Sequence, residues 1–288
     1  MEPYFLGVDL GGTQMRMAAV TPRGGLASEV RAVRTGAGFS PADLQAELLR
    51  LSREVAREVG GQTLGGLGLG VAGVVVDDGP LTQSPHLPRI EGTKVQALAR
   101  DTMRCAVAVE NDARCFTLAE ARYGAGRGAA DVCGLVLGTG VGCGVMIGGR
   151  LHRGAGAQAG EVYHIQLRGQ SVEHFVAGAG IVRGYAAAGG AAGPDVEAAE
   201  VAVRARAGDA AAVAAWRSFG DDLAFLCEAV IALLDPEVIV IGGSLARAGD
   251  LFRPALLART AKHATRIANA ELGSAAGVIG AAALNIAL

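Results

Sequence analysis

Lysine, aromatic side chains and long apolar runs are all scarce in this 288-residue sequence. Only two of its 26 basic residues are lysines, and a net charge of −2 leaves no basic excess of the kind that favours nucleic-acid binding. No apolar stretch approaches the ~18 residues that cross a bilayer, and no positively charged segment precedes an apolar one at the start. We therefore expect no nucleic acid and no membrane as partner, and no signal peptide.

Cysteine is also sparse, and its pattern argues against a disulfide scaffold. The five cysteines are an odd number and form no C-x-x-C pair. This pattern is typical of proteins kept in a reducing compartment, so we expect a cytoplasmic location. The cysteines are Cys105, Cys115, Cys133, Cys143 and Cys227.

Hydrophobic residues make up 51% of the chain, and short apolar runs alternate with helical patterns. Ser40-Pro41 predicts the start of a helix, which has an apolar residue every three or four positions. Asn111 predicts the start of another helix, which ends at Gly124. Residues 275–288 are interpreted as a buried terminal helix, and 184–194 as a loop of small residues. This alternation predicts an α/β fold.

Glycine-rich turns follow two of the apolar strands, at Gly11-Gly12-Thr13 and at Gly138-Thr139-Gly140. The repeated motif predicts two similar α/β halves. Adjacent glycines let backbone N–H groups approach an anion, so the two turns predict a polyphosphate site, although each alone also fits an ordinary hairpin. We expect a Cβ at Gly12 or Gly138 to enter the phosphate path or to strain a turn with positive φ. A third turn, Gly242-Gly243, suits a nucleotide or a tight strand–helix connection.

Several acidic residues and a histidine are further candidates for a site. Asp9 ends the first strand, where a hard carboxylate oxygen can hold Mg²⁺ through water. Asp112 stands where a strand ends and a helix begins, and it could act as a general base or simply stabilise the helix N-terminus. Glu161 and His164 lie three residues apart, which suits hydroxyl binding, a metal or a polar loop.

Together these segments resemble the ROK family of sugar kinases and repressors. The resemblance implies a two-lobed actin/hexokinase-like (ribonuclease H-like) fold, with residues 1–120 as the N-terminal lobe and 121–288 as the C-terminal lobe. The last helix is expected to pack back on the N-terminal lobe. The segments that carry the resemblance are residues 8–13, 68–73, 109–113, 137–144, 154–164 and 239–244.

The resemblance also implies roles for single residues. Asp112 would be the catalytic base, and Asp9 would hold Mg²⁺ through water. The phosphate-binding residues would be Gly11, Gly12, Thr13, Gly138, Thr139 and Gly140, with Gly242 and Gly243 lining the adenosine pocket. The candidate sugar-binding residues are Gly73, His86, Asn111, Asp112, Glu161, His164 and Glu173.

The sequence departs from the family pattern in two places. Many members carry a cysteine-rich, zinc-binding segment after the histidine, whereas residues 165–172 contain no cysteine, so no zinc site is expected. Glucose-type members often have asparagine where His86 stands, which bears on the choice of sugar.

The sequence thus predicts an ATP- and Mg²⁺-dependent kinase that phosphorylates a hexose-type sugar, with glucose favoured. N-acetylglucosamine, N-acetylmannosamine and fructose are alternative acceptors, and polyphosphate is an alternative donor. A non-catalytic, sugar-sensing regulator is the alternative from another class, but only four residues precede the first predicted strand, so we expect no DNA-binding segment there. The oligomeric state stays open, with a homodimer among the alternatives.

Overall fold

Two five-stranded mixed sheets and their helices make up the computed structural model, which describes residues 2–287. In chain order the first elements are β1 (Tyr4–Leu10), β2 (Gln14–Val20), β3 (Arg31–Arg34), α1 (Pro41–Glu58), β4 (Leu64–Val71), α2 (Val95–Met103), β5 (Val107–Asn111) and α3 (Asp112–Tyr123). They are followed by β6 (Val132–Leu137), β7 (Val141–Ile147), β8 (Arg150–Leu151), β9 (Gln166–Leu167), β10 (Gln170–Ser171), α4 (Glu173–Val176), α5 (Gly178–Ala187), α6 (Ala198–Arg206), α7 (Ala210–Leu234), β11 (Val238–Gly242), α8 (Gly249–Thr260), β12 (Arg266–Asn269) and α9 (Ala276–Ala283).

The two sheets have the same strand order. The first runs β3-β2-β1-β4-β5 and the second β8-β7-β6-β11-β12. In each, the leading strand pairs antiparallel with its hairpin partner on one side and parallel with a later strand on the other. The repeat predicted from the two glycine turns is therefore present, and both turns join the first two strands of their sheet.

Helices α3 and α9 lie between the sheets, α9 against β1 and β4 and α3 against β6 and β7. The approach of α9 is close because Gly7 and Gly68 carry no side chain. A Cβ on Gly7 would collide with the carbonyl group of Val278, and one on Gly68 with another carbonyl of the same helix. Gly280 of α9 contacts the backbone of Cys115 in α3 in the same way. The last helix thus joins the first sheet to α3.

Local sequence explains how the best-predicted helices begin. Ser40 caps α1 in a capping box with Asp43, and Pro41 is its first residue, as predicted. The predicted apolar face of α1 is buried, at Leu44, Leu48, Leu51 and Val55.

The interpretation of 184–194 as a loop was partly wrong, because residues 184–187 complete α5. Within residues 2–287, no helix has the length and apolar character that a membrane crossing requires.

Candidate active site

Asp9 and Asp112 lie together in the cleft between the sheets. Asp9 is near the end of β1, and Asp112 is the first residue of α3, directly after its N-cap Asn111. Both line a cavity of about 600 Å³, which Gly242 and Gly243 border from the second sheet. The ends of β1, β5 and β11 therefore bring one carboxylate pair and one glycine turn to a common space.

The surroundings of Asp112 favour its protonated form. Burial, together with the negative charges of Asp9 and Glu161, raises the pKa of Asp112 to about 6, against an opposing hydrogen bond from the Ala113 amide. A carboxyl group with a pKa near 6 is a stronger base when ionised than an ordinary aspartate. The site therefore contains a group suited to accept a proton near neutral pH.

The turns at 11–13 and 138–140 differ from the expectation in their backbone conformation. Neither Gly12 nor Gly138 has a positive φ, so the predicted strain on substitution was wrong. A Cβ on Gly12 would instead collide with the side chain of His86, while one on Gly138 would meet only Ser244 Oγ, at 3.5 Å. Thr13 and Thr139 are exposed at the two turns.

The third turn does require glycine. Gly243 has a φ of +88°, and a Cβ there would collide with the backbone of Leu137. A Cβ on Gly242 would lie 2.5 Å from the ring of Phe116. Gly138 and Thr139 border a second cavity of about 550 Å³, which Ser244 also lines. The second and third turns therefore adjoin one another.

Asn111 connects the α3 N-terminus to Gly73. Its Oδ1 accepts hydrogen bonds from the amides of Ala113 and Arg114, at 2.9 and 3.2 Å, and its Nδ2 donates to the Gly73 carbonyl at 3.1 Å. Gly73 itself has a φ of +148°. The predicted residues Gly73, Asn111 and Asp112 therefore form one continuous edge.

The other predicted sugar-binding residues lie in three places: His86 beside Gly12, Glu161 and His164 in the segment after β8, and Glu173 at the start of α4. Burial raises the pKa of Glu161, although the positive charges of Arg114 and His164 oppose it. His164 is exposed, and its ring lies against that of Tyr163. Glu173 accepts a hydrogen bond from the Val141 amide at 2.9 Å, which places its carboxylate at the 138–140 turn. The charge of Glu161 thus acts on Asp112, whereas Glu173 lies at the second turn.

A family match identifies the class of protein to which this chain belongs. The sequence matches the ROK family over residues 5–287. The chain belongs to the ROK family. A curated relative, N-acetylgalactosamine kinase AgaK of Shewanella sp. (strain ANA-3), is 30% identical, covering 97% of this chain and 96% of that protein. N-acetyl-D-glucosamine kinase of Pectobacterium atrosepticum is 29% identical, and the match covers 98% of this chain and 99% of that protein.

Solved structures place the ROK chain in the two-lobed actin/hexokinase-like class. A ROK family glucokinase from Streptomyces griseus, crystallised with glucose and AMPPNP, aligns with a TM-score of 0.82. The two sequences are 24% identical, and the alignment covers 98% of each chain. At that identity, the match establishes the fold, and the predicted fold class is confirmed.

Several charged residues of this ROK site were missed in the sequence. Glu110, directly before Asn111, is buried with Arg114, and Arg153 reaches the same carboxylate. Arg16 pairs with Asp9 across the β1–β2 hairpin and donates to the Ser274 carbonyl at 2.6 Å. A sequence signal existed for Arg114, because it interrupts an apolar helix four residues after Glu110, and a charge in that position requires a buried partner.

The segment after His164, where many ROK proteins carry zinc, is a short hairpin in this chain. β9 and β10 are joined by Arg168 and Gly169, both with positive φ. Arg168 pairs with the buried Asp222 of α7 and lies over the ring of Phe175. Among residues 2–287, no three His, Cys, Asp or Glu side chains converge in a metal-binding geometry.

Proposed function

We propose that this ROK sugar kinase transfers the γ-phosphoryl group of ATP to a hydroxyl group of an N-acetylhexosamine. The position of Asp112 carries the proposal for the chemistry. It lies at the start of α3, beside Asp9, in a cavity that the glycine turn at Gly242-Gly243 also borders. The N-acetylgalactosamine and N-acetyl-D-glucosamine kinases among the relatives favour a 2-acetamido sugar, and glucose is the comparison acceptor.

In the proposed reaction, ionised Asp112 takes the proton from the sugar hydroxyl as the hydroxyl oxygen attacks the γ-phosphorus of ATP. The bond from that phosphorus to the β–γ bridging oxygen breaks, and ADP leaves. Asn111, which directly precedes Asp112, and Glu161, whose charge acts on Asp112, are assigned to hydroxyl groups of the sugar. Backbone N–H groups at 11–13 and 138–140 are assigned to the phosphates, since glycine turns expose amide donors to anions. Gly242 and Gly243 are assigned to the adenosine side.

The residues around Asp9 fit a magnesium ion held through water. Mg²⁺ prefers oxygen ligands and keeps several waters, and Asp9 offers a carboxylate that lines the cavity. Arg16 is bonded to Oδ2 of Asp9, so Oδ1 is the oxygen assigned to the hydrated ion. When bound, Mg²⁺ would neutralise charge on the transferred phosphoryl group.

An ADP-release assay over a panel of sugars tests the proposal. The panel contains N-acetylglucosamine, N-acetylgalactosamine, N-acetylmannosamine, glucose, mannose and fructose, each with ATP or polyphosphate as donor. We expect kcat/KM for one 2-acetamido sugar to exceed that for glucose by at least ~10-fold, because a small number of contacts to the substrate is enough for that discrimination. Higher turnover with glucose would identify a glucokinase. Absence of ADP release with every sugar would favour the sugar-sensing regulator.

A further inference from the structure

A buried ion cluster lies directly behind the proposed base. Glu110 and Arg114 are only 2% and 1% exposed, and they flank Asn111 and Asp112 in the chain. One oxygen of Glu110 accepts from Arg114 Nη1 at 3.0 Å and from the Asn111 amide at 2.9 Å. The other oxygen accepts from Arg153 Nε. Both oxygens of the carboxylate are therefore bound, and Arg114 is fixed on one side.

The other side of the Arg114 guanidinium holds the loop that leads to Glu161. Its Nη2 donates to the carbonyl oxygens of Ala157 and Ala159, at 2.7 and 3.0 Å. Ala157 is buried with a φ of +52°, and Gly160 has a φ of +91°. A left-handed conformation at alanine is unfavourable, so other contacts must stabilise the loop in this shape. Arg114 supplies two such contacts.

We propose that Arg114 is a positioning residue, which fixes Glu161 relative to Asp112 so that both can bind the acceptor sugar. This rests on the proposed function, which assigns Glu161 to the sugar and Asp112 to proton transfer. Arg114 lies in the first turn of α3 with Asp112, and a single residue, Gly160, separates Ala159 from Glu161. One planar guanidinium group therefore links the first turn of the helix that begins at Asp112 to the loop that leads to Glu161.

A purely structural role makes a different prediction, and α3 provides the control. Arg122, two turns further along the same helix, also donates from Nη1 to two carbonyl oxygens, those of Ala283 at 2.9 Å and Ile286 at 3.1 Å. These carbonyls belong to the end of α9 and the residues after it, not to the loop before Glu161. Arg122→Lys and Arg114→Lys each keep the positive charge and remove a planar fork that holds two carbonyls.

Steady-state kinetics with the preferred sugar test the role. For Arg114→Lys we expect the sugar KM to rise on the order of 10- to 100-fold, because small displacements of a binding group reduce productive binding strongly. The KM for ATP should change by less than about twofold, since the loop that Arg114 holds lies on the sugar side of the cleft. Arg122→Lys should lower the melting temperature without changing the sugar KM.

Amide hydrogen exchange gives a readout that does not depend on activity. In Arg114→Lys, exchange of the amides at 157–161 should become faster, while Arg122→Lys should leave that segment unchanged. Glu110→Gln/Arg114→Met removes both charges together and serves if Arg114→Lys does not fold. The same rise in sugar KM is expected there.

Two results would overturn the proposal. One is a folded Arg114→Lys protein with unchanged sugar KM, and the other is unchanged exchange at 157–161. If the wild-type protein phosphorylates no sugar, the proposed function fails, whereas the exchange experiment still reports on the Arg114 contact. The two failures are therefore distinguishable.

Discussion

At the residue scale, the environment of Asp112 favours proton transfer but lowers the stability of the folded state. Its position at the cavity and its raised pKa suit proton transfer, but they also leave a carboxylate that is ionised at neutral pH next to Asp9 and Glu161. A group held near like charges destabilises the folded state when it is ionised. Replacing Asp112 by a neutral residue should therefore lower the activity and raise the stability.

Asp112→Asn keeps the size of the side chain and removes the proposed base. We expect kcat to fall by about 10²- to 10⁴-fold, which is the usual contribution of a positioned base, with the sugar KM little changed. Initial-rate kinetics of the purified variant measure this, with Asp101→Asn on the exposed face of α2 as control. Turnover close to that of the wild type would remove Asp112 from the mechanism.

The raised pKa of Asp112 predicts a pH dependence with a defined sign. Because the folded-state pKa is about 6 and the ordinary value is 3.8, the folded protein holds this proton more tightly than the unfolded chain. Ionisation of Asp112 therefore lowers the free energy of unfolding as pH rises from about 4 to about 6. Asp112→Asn should raise the melting temperature at pH 8, and by less at pH 5. Equal shifts at both values would contradict this.

We expect the same group to set the acidic limb of the pH profile. The free enzyme must hold Asp112 ionised in order to accept a proton, so kcat/KM for the sugar should fall as pH drops below about 6. The profile is measured with saturating ATP between pH 5 and pH 8. An acidic limb near pH 4, the ordinary value for a carboxyl group, would mean that burial does not act on the base as described.

At the scale of structural elements, the glycine turns at 11–13 and 138–140 were predicted to act alike, but their glycines have different surroundings. Gly12 contacts His86, so Gly12→Ala should displace the loop that carries His86 and lower the melting temperature. Gly12→Ala/His86→Gly should restore it, because the colliding side chain is removed. Recovery that fails in the double variant would show that the contact is not the cause.

Gly138 has room for a methyl group in the protein alone. Gly138→Ala should therefore leave the melting temperature unchanged, while the KM for ATP rises because the new Cβ enters the proposed phosphate path. Thermal melts and ATP titrations of the same preparation measure both. An unchanged KM for ATP would indicate that the turn is a hairpin with no ligand role.

Elements that depend on neighbouring residues in the chain were predictable, and contacts between distant segments were not. The Asn111 cap and the Ser40 capping box involve residues three or fewer positions apart, so local sequence determines them. The contact between Gly12 and His86 joins segments that only the fold brings together. The hydrogen bond from Arg114 to the Ala157 carbonyl likewise joins residues 43 positions apart. The sequence could indicate that Arg114 needed a partner, but not which loop it holds.

Metal content is a property of the whole molecule. We predict that the protein contains no stoichiometric zinc, and that EDTA inhibits only by removing Mg²⁺, so that Mg²⁺ alone restores activity. A structural zinc site needs about four nitrogen or sulfur ligands, and the segment after His164 offers no cysteine. Elemental analysis of untagged protein measures zinc directly. One zinc per chain, lost together with stability on chelation, would contradict the prediction.

The close contact of α9 with β1 and β4 has a consequence for the order of synthesis. The first sheet is complete once residue 111 has been made, but the part of its face that α9 covers, on β1, β2 and β4, stays largely open until residues 276–283 leave the ribosome. The close approach of α9 depends on Gly7 and Gly68, since a Cβ on either would collide with a carbonyl group of the helix. A nascent chain halted before α9 should therefore expose an apolar sheet face, and chaperones would bind the first-made half of the protein for longest.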